Sequence, residues 1–395
     1  MSALIAGDGD PRQALPGCAW ALMRGNRIES SGAVGYADLN AHRSLRADSP
    51  MRVASISKIA TALVVHRLAE ANLLSLDDDI ARHLGEWARN PAFPDAPIRV
   101  RHLLSHTSSM RDGAIYWAHL GERTADFFVP NAAHWEGGAH WASDHPPGAY
   151  FTYCNLAFGV LATIAERVSN RRFDQLAHDL VLAPLGLDSG FNWSGSPRAF
   201  IARGAPIWLS DERGIWEVSA DYPLPTDHAP VFLNPENRDL ASYVIGENGT
   251  LFSPQGGLRA SALDLARIGL MLNREGAPLV SATTFRQMRA PVWASDGTNG
   301  DTKNNFWTSY GLGLQIIEPS DVSPIEHQER VLIGHSGDAY GLRGGLFVDP
   351  AAGRGFAFLM NGGPPDEARA PGARSGFSRA EERAMQTLYD LAMEA

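Results

Sequence analysis

The stretch that most limits what this chain can become is Met51-Arg52-Val53-Ala54-Ser55-Ile56-Ser57-Lys58-Ile59-Ala60, which sets a hydroxyl and an amine three residues apart where a helix begins. From Ser57 onward Ile59, Ala62, Leu63, His66 and Ala69 recur at helical spacing, with no Gly or Pro before the exit at Leu73-Leu74-Ser75-Leu76. On such a helix Ser55 and Lys58 share one face, one turn apart, within hydrogen-bonding range. A serine hydroxyl is a poor nucleophile until a base takes its proton, and a lysine becomes that base when burial or a nearby cation lowers its pKa from about 10.4. Backbone N–H groups at the helix N-terminus add stabilisation for an oxyanion.

By itself Ser-x-x-Lys is a short pattern, expected about once by chance in a chain of ordinary composition. Lysine, however, is nearly absent: of the 34 basic residues two are lysines, Lys58 and Lys303, and the other 32 are arginines. Arginine replaces lysine wherever a solvated charge is enough, but a guanidinium does not deprotonate in a protein and cannot act as a base. The lysine kept at a helix start, three residues after a serine, therefore reads as half of a catalytic pair rather than as a solvated helix lysine beside a capping serine.

The chain has 395 residues, 44% of them apolar, 20% charged and 9% aromatic, a globular composition that allows two or three domains or one fold with large insertions. No apolar run approaches the roughly 20 residues of a membrane span. The net charge is −10, and the basic residues do not cluster, which argues against nucleic acid and anionic membranes as partners. The two cysteines, Cys18 and Cys154, flank different motifs and make no disulfide framework. Met1 to Gly9 carries no basic patch followed by a long apolar segment, so the expectation is a cytoplasmic protein, or a periplasmic or secreted one if a leader has been removed.

Along the chain, Cys18–Met23 and Ile28–Tyr36 read as two strands joined by Arg24-Gly25-Asn26-Arg27. After the Ser57 helix, Leu76–Ile80 and Val100–Thr107 show helical periodicity. His102 and His106 are spaced i, i+4, but no glutamate of the His-Glu-x-x-His kind separates them, so a hydrogen-bonded structural role is expected and no metal site. Residues 112–149, with Trp117, Trp135 and Trp141, show no clean period and read as a long loop that either serves the site or pins irregular chain to the core. Tyr153-Cys154-Asn155 lies at a turn that opens an amphipathic helix through Leu156, Val160, Leu161, Ile164 and Val168, and an extended turn would send the phenol and the amide to one side. Pro184 to Thr250 reads as irregular. Gly256-Gly257-Leu258 then turns into a helix through Leu263 to Leu272.

The last hundred residues read as antiparallel strands over Tyr310–Ile317, Arg330–Ile333, Leu342–Val348 and Gly355–Met360, closed by a helix that starts at a Ser378/Glu381 capping box. Gly334-His335-Ser336-Gly337 falls between two of these strands.

Ser55-Ile56-Ser57-Lys58, Tyr153-Cys154-Asn155 and His335-Ser336-Gly337, in that order, resemble the active-site motifs of the serine β-lactamase and penicillin-binding protein superfamily, closest to the class C β-lactamase-like branch that includes carboxylesterases and D-aminopeptidases. Leu103-Leu104-Ser105-His106-Thr107-Ser108-Ser109 and Gly256-Gly257-Leu258 are also similar to stretches of that branch. The resemblance implies an α/β (α+β) fold of the β-lactamase/DD-peptidase kind: an antiparallel sheet from both chain ends flanked by helices, beside a mostly helical subdomain. One catalytic domain over 1–395 follows, with 1–54 and 250–395 as the α/β subdomain and 55–249 as the mainly helical one with irregular insertions.

Carried over, Ser55 is the acylated nucleophile and Lys58 with Tyr153 the proton-handling pair, His335 joining the catalytic set. Asn155, Ser336, Gly337 and Asp338 are the implied substrate-binding residues, Asn155 orienting either the substrate carbonyl side or Lys58, with the backbone N–H groups of Ser55 and Asp338 as the oxyanion hole. No cofactor and no metal are implied, and the substrate is a small ester, amide or short peptide. The departure is His335, where penicillin-recognising members carry a lysine that helps hold a carboxylate. A histidine is largely neutral near pH 7, so carboxylic esters with apolar acyl or aryl groups are the expected substrates, D-stereospecific amides or acyl transfer the alternative, and β-lactams poor ones.

Two other classes compete with this reading. Gly334-His335-Ser336-Gly337-Asp338 falls one residue short of the Gly-x-Ser-x-Gly elbow of α/β-hydrolases, and a glycine-rich strand comes after it where a helix is required. A binding or sensor module with a dead site would have lost Ser55, Lys58 or Tyr153, and all three are present.

Overall fold

The computed structural model describes residues 1–211, 213–222, 224 and 240–393; of the irregular stretch expected from Pro184 to Thr250, residues 212, 223 and 225–239 lie outside that set. A nine-stranded sheet runs in the order Arg43–Ser44, Arg27–Asp38, Gly17–Arg24, Arg354–Met360, Leu342–Asp349, Leu332–Ala339, Gln315–Ile317, Ser309–Tyr310, Trp293–Ala294. All its neighbours pair antiparallel, with Trp20 opposite Phe358 and His335 opposite Leu346. Chain ends meet in the middle of the sheet because Gly17–Arg24 pairs with Arg354–Met360.

Side chains alternate across a strand, and here both faces are buried. Ala19, Ala21, Met23, Leu346, Val348, Ala357 and Leu359 join the large core beneath the helix Ala262–Asn273, while Cys18, Leu22, Phe347, Phe356, Phe358 and Met360 pack with Met385, Leu388 and Tyr389 of the helix Arg379–Met393. The capping box at Ser378 is present, Ser378 N donating to Glu381 Oε2 at 2.9 Å. A second box, Ser261 with Asp264, starts Ala262–Asn273 just after the Gly256-Gly257 turn.

Three expectations change. Tyr310–Ile317 is two short strands around a hairpin rather than one, because Gly313 takes φ +90° to lay the turn on the central helix, where an added Cβ would stand 2.2 Å from Ala62 Cβ. Leu76–Ile80 is not helical: the Asp78 carboxylate accepts from Ser75 N at 2.9 Å, a local turn that outcompetes the helix, and only Val100–Leu104 of the paired segment is one. The stretch His335-Ser336-Gly337 lies inside the strand Leu332–Ala339, not between strands.

Two helices cross between the sheet and the irregular segments. Ser57–Glu70 is buried along nearly its whole length, and Leu156–Ser169 packs beside it. Residues 112–149 are irregular, pinned by short 3-10 turns and a bridge from Met110 to Trp141. Among the described residues no helix is long and apolar enough to cross a membrane.

Candidate active site

Ser55 sits one step earlier than its pattern suggests, in the 3-10 turn Ala54–Ile56 that leads into the helix Ser57–Glu70. Ala54 has φ +47°, a left-handed conformation that costs an alanine about 1 kcal/mol or more and persists only where the surroundings enforce it. The enforcement comes from residues 253–258. Val53 N donates to the Leu258 carbonyl at 3.0 Å, Leu258 N donates to Ser57 Oγ at 3.0 Å, and Thr61 Oγ1 donates to the Pro254 carbonyl at 2.6 Å. The glycine turn thus clamps the start of the central helix.

Lys58 is completely buried, with Nζ 2.8 Å from Asn155 Oδ1, 3.0 Å from the Gln255 carbonyl and 3.1 Å from Ser55 Oγ. The first two can only accept. A neutral amine has two protons and one lone pair, so both protons are used there and the lone pair is left for the serine hydroxyl. Burial lowers the Lys58 pKa to about 7; the Asp112 carboxylate and Cys154 oppose this, and the Lys303 charge adds to it.

Asn155 cannot present its other end. Its Nδ2 donates to Asp112 Oδ2 at 2.8 Å, and a carboxylate accepts only, so the amide oxygen must face Lys58. Asp112 also accepts from Asn155 N (3.0 Å) and Leu156 N (2.9 Å), placing a carboxylate on the first turn of Leu156–Ser169, where the helix dipole favours it.

Tyr153 donates from its hydroxyl to Ser55 Oγ at 2.7 Å. Burial holds this phenol well above its usual pKa, so it stays protonated. Its ring stacks on Trp307 at 4.4 Å and 15°, and Lys58 Nζ lies 4.6 Å from the ring centroid.

The strand side differs. His335 is fully buried; its Nδ1 donates to the Ser336 carbonyl at 2.6 Å, and Nε2 accepts from the Tyr310 hydroxyl at 2.9 Å. Burial, with Lys58 nearby, lowers its pKa to about 3, so the ring is neutral and both nitrogens are occupied. It is not among the residues lining the cavity at Ser55, whereas Ser336 and Asp338 are. Ser336 donates through both Oγ (2.8 Å) and N (3.0 Å) to Gln315 Oε1. Gly337 is where strand and turn touch: a Cβ there would stand 2.5 Å from the Val53 carbonyl oxygen, so only glycine lets the strand come this near to Ser55. The Asp338 carboxylate is held by Arg369 at 2.8 Å and Arg343 at 3.1 Å.

The cavity has a volume of about 1170 Å³, and Tyr116, Trp117, Leu120, Phe306, Trp307 and Phe377 give it apolar walls. His102 and His106 face elsewhere: each Nδ1 accepts a backbone N–H, from Arg99 at 3.2 Å and from Cys154 at 3.1 Å. No group of His, Cys, Asp or Glu suited to a metal occurs among the described residues.

Asp112, Gln255 and Gln315 carry no mark in the sequence. Asp112 lies 43 residues before Asn155 in an aperiodic segment, Gln255 acts through its backbone carbonyl, and no pattern of residue types signals either.

A family model described as Beta-lactamase matches residues 2–381. Esterase EstB of Burkholderia gladioli is 27% identical over 371 residues, 88% of this chain and 86% of that protein. A D-aminopeptidase of Brucella canis is 29% identical over 176 residues, which covers 44% of this chain and 32% of that protein. Among solved structures, a class C beta lactamase from Rhodobacter sphaeroides superposes with a TM-score of 0.68 over 99% of this chain and 100% of that chain, at 16% identity, a likeness of fold alone.

Proposed function

The chain belongs to the Beta-lactamase family, and from that membership and the geometry at Ser55 we propose that it is a serine hydrolase cleaving carboxylic esters through an acyl-enzyme on Ser55. We read it as one catalytic unit over 1–395, in which 1–54 and 250–395 form the α/β subdomain and 55–249 the mainly helical one. One observation carries the mechanism: with Asn155 and Gln255 taking the protons of Lys58, Ser55 Oγ faces its lone pair at 3.1 Å.

In acylation Ser55 Oγ attacks the ester carbonyl carbon while its proton passes to Lys58, which burial brings to a pKa of about 7 so that it is increasingly neutral as pH rises past that value. The carbonyl oxygen gains the negative charge and is met by the backbone N–H groups of Ser55 and Asp338. The bond to the leaving oxygen then breaks, and that oxygen takes a proton from Lys58 relayed by the Tyr153 phenol. In deacylation water attacks the acyl carbon, giving its proton back through the same pair, and Ser55 leaves protonated. His335, neutral and enclosed, has no proton to exchange in this scheme; its role is to hold the strand that carries Ser336 and Asp338.

Esters are favoured over amides because an alkoxide leaves with less help from a general acid than an amine. The apolar walls suit an acyl or aryl group, and the third motif offers no cation for a β-lactam carboxylate. EstB, matched over most of both chains, supports the ester reading. The D-aminopeptidase likeness keeps D-amino acid amides as the second reading, over a shorter span.

The test compares kcat/KM for short aryl esters, D-amino acid amides and a chromogenic cephalosporin, with intact-mass detection of the acyl-enzyme. Ester preference and a mass gain lost in Ser55→Ala are expected. A cephalosporin preference, or labelling retained in Ser55→Ala, would overturn the assignment.

A further inference from the structure

Arg52 takes no part in the steps above, yet it lines the same cavity as Ser55, three residues ahead of it. The residue is 7% exposed, so its guanidinium is held almost entirely out of water. Nη1 donates to the Gly256 carbonyl at 3.2 Å, Nε has no partner, and among the described residues no carboxylate lies within 4.0 Å of it. The nearby acid is already committed: Asp221 is bound through both oxygens to Arg259, so among the described residues the group Arg52, Arg259 and Asp221 carries one more positive charge than negative. Asp338, also on the cavity, is taken by Arg343 and Arg369, and Asp112 by Asn155 and the helix start. Tyr340, at the tip of the hairpin between Leu332–Ala339 and Leu342–Asp349, lays its ring 5.0 Å from Arg52 Cζ. Tyr116, whose phenol burial raises to about 12, adds a protonated hydroxyl to the same cavity.

A buried cation with unfilled donors is expensive unless an acceptor arrives to fill them. A planar guanidinium is matched by a carboxylate, which takes two of its N–H groups at once. We propose that Arg52 receives a carboxylate of the substrate, so that the ester this enzyme cleaves carries an apolar body and an anionic end remote from the scissile bond. This rests on the serine-hydrolase reading and narrows its substrate class. It places anion recognition on the strand Met51–Arg52, next to the nucleophile, and not on the strand that bears His335. Lys303 is the competing cation: it lines the cavity with Nζ 5.9 Å from the Tyr153 ring centroid. It is exposed, so water and salt screen it, and its ammonium lacks the fork.

The experiment uses two aryl esters of matched size, 4-nitrophenyl valerate and 4-nitrophenyl hemiglutarate, with the unmodified chain and with Arg52→Gln, Arg52→Lys and Lys303→Gln. The ratio of kcat/KM for the anionic over the neutral ester should fall about 10-fold or more in Arg52→Gln, chiefly through KM. In Arg52→Lys it should fall about 3-fold, because charge remains and the fork is lost. A purely structural arginine would depress both esters together and leave the ratio unmoved. An unchanged ratio in both Arg52 variants, or a fall confined to Lys303→Gln, overturns the proposal. Should Arg52→Gln not fold, Arg52→Lys carries the same comparison. If neither ester turns over, the hydrolase reading fails separately, and calorimetric titration of glutarate into the unmodified chain and Arg52→Lys decides the subsite: tighter binding to the unmodified chain supports it, and no binding or equal binding overturns it.

Discussion

On the helix side of the cavity Lys58 is fully buried with three polar partners; on the strand side His335 is fully buried with two. Desolvation pushes both toward their neutral forms, and burial is the largest cause in each. The starting values decide the outcome. A lysine lowered from 10.5 arrives at about 7, where it is a base with a usable proton affinity, while a histidine lowered from 6.5 arrives at about 3 and leaves the working range altogether. In the proposed mechanism one physical force makes a base of one residue and a scaffold of the other.

The sharpest way to break that contrast is Lys58→Arg, which keeps a cation and removes the base. We expect kcat to fall about 10³-fold. A variant retaining kcat within about tenfold would make Lys58 structural. In the unmodified enzyme kcat/KM should rise with pH through an apparent value near 7, since protonated Lys58 is inactive and loses its proton as pH increases; that value belongs to the coupled Lys58 and Tyr153 pair. A profile flat from pH 5 to 9 would contradict it.

Tyr153→Phe removes one hydroxyl and should lower kcat about 10²-fold, with a stability change of about 1 kcal/mol read from the denaturant midpoint. A rate near that of the parent would reduce Tyr153 to packing against Trp307.

Asp112→Asn tests the orientation of Asn155. It should cost about 10-fold in kcat and move the acidic limb of the pH profile downward, because the carboxylate raises the Lys58 pKa and its loss lets the value drop further. A limb that moved upward would contradict the electrostatic account.

The smallest kinetic effect belongs to His335→Gln. Rates should stay within about tenfold, while stability falls by about 1 to 3 kcal/mol because the Tyr310 hydroxyl loses a buried partner. A 10³-fold loss of kcat without destabilisation would erase the distinction between the two walls.

Much of this was legible along the chain. The Cys18–Met23 hairpin, the helix from Ser57, the helix after Asn155 and the Ser378 capping box obey short-range rules, periodicity, turn residues and side-chain caps, and each lies within a few residues of its place. Where short-range rules compete they mislead: Asp78 offers its backbone a turn and Leu76–Ile80 takes it, and Gly313 breaks an apolar run that reads as one strand because the central helix lies against it.

Residue types and their local spacing settle which groups are available: a serine and a lysine three residues apart at a helix start, a phenol and an amide two residues apart, and arginine nearly everywhere a lysine need not be a base. The electrical state and aim of those groups come from tertiary contacts. The fold buried Lys58 to bring it near pH 7, turned Asn155 by way of an aspartate 43 residues away, closed His335 between Tyr310 and its own strand, and left Arg52 with donors unfilled. Solvation and hydrogen-bond direction depend on what the whole fold brings to within about 3 Å, and no local pattern records that.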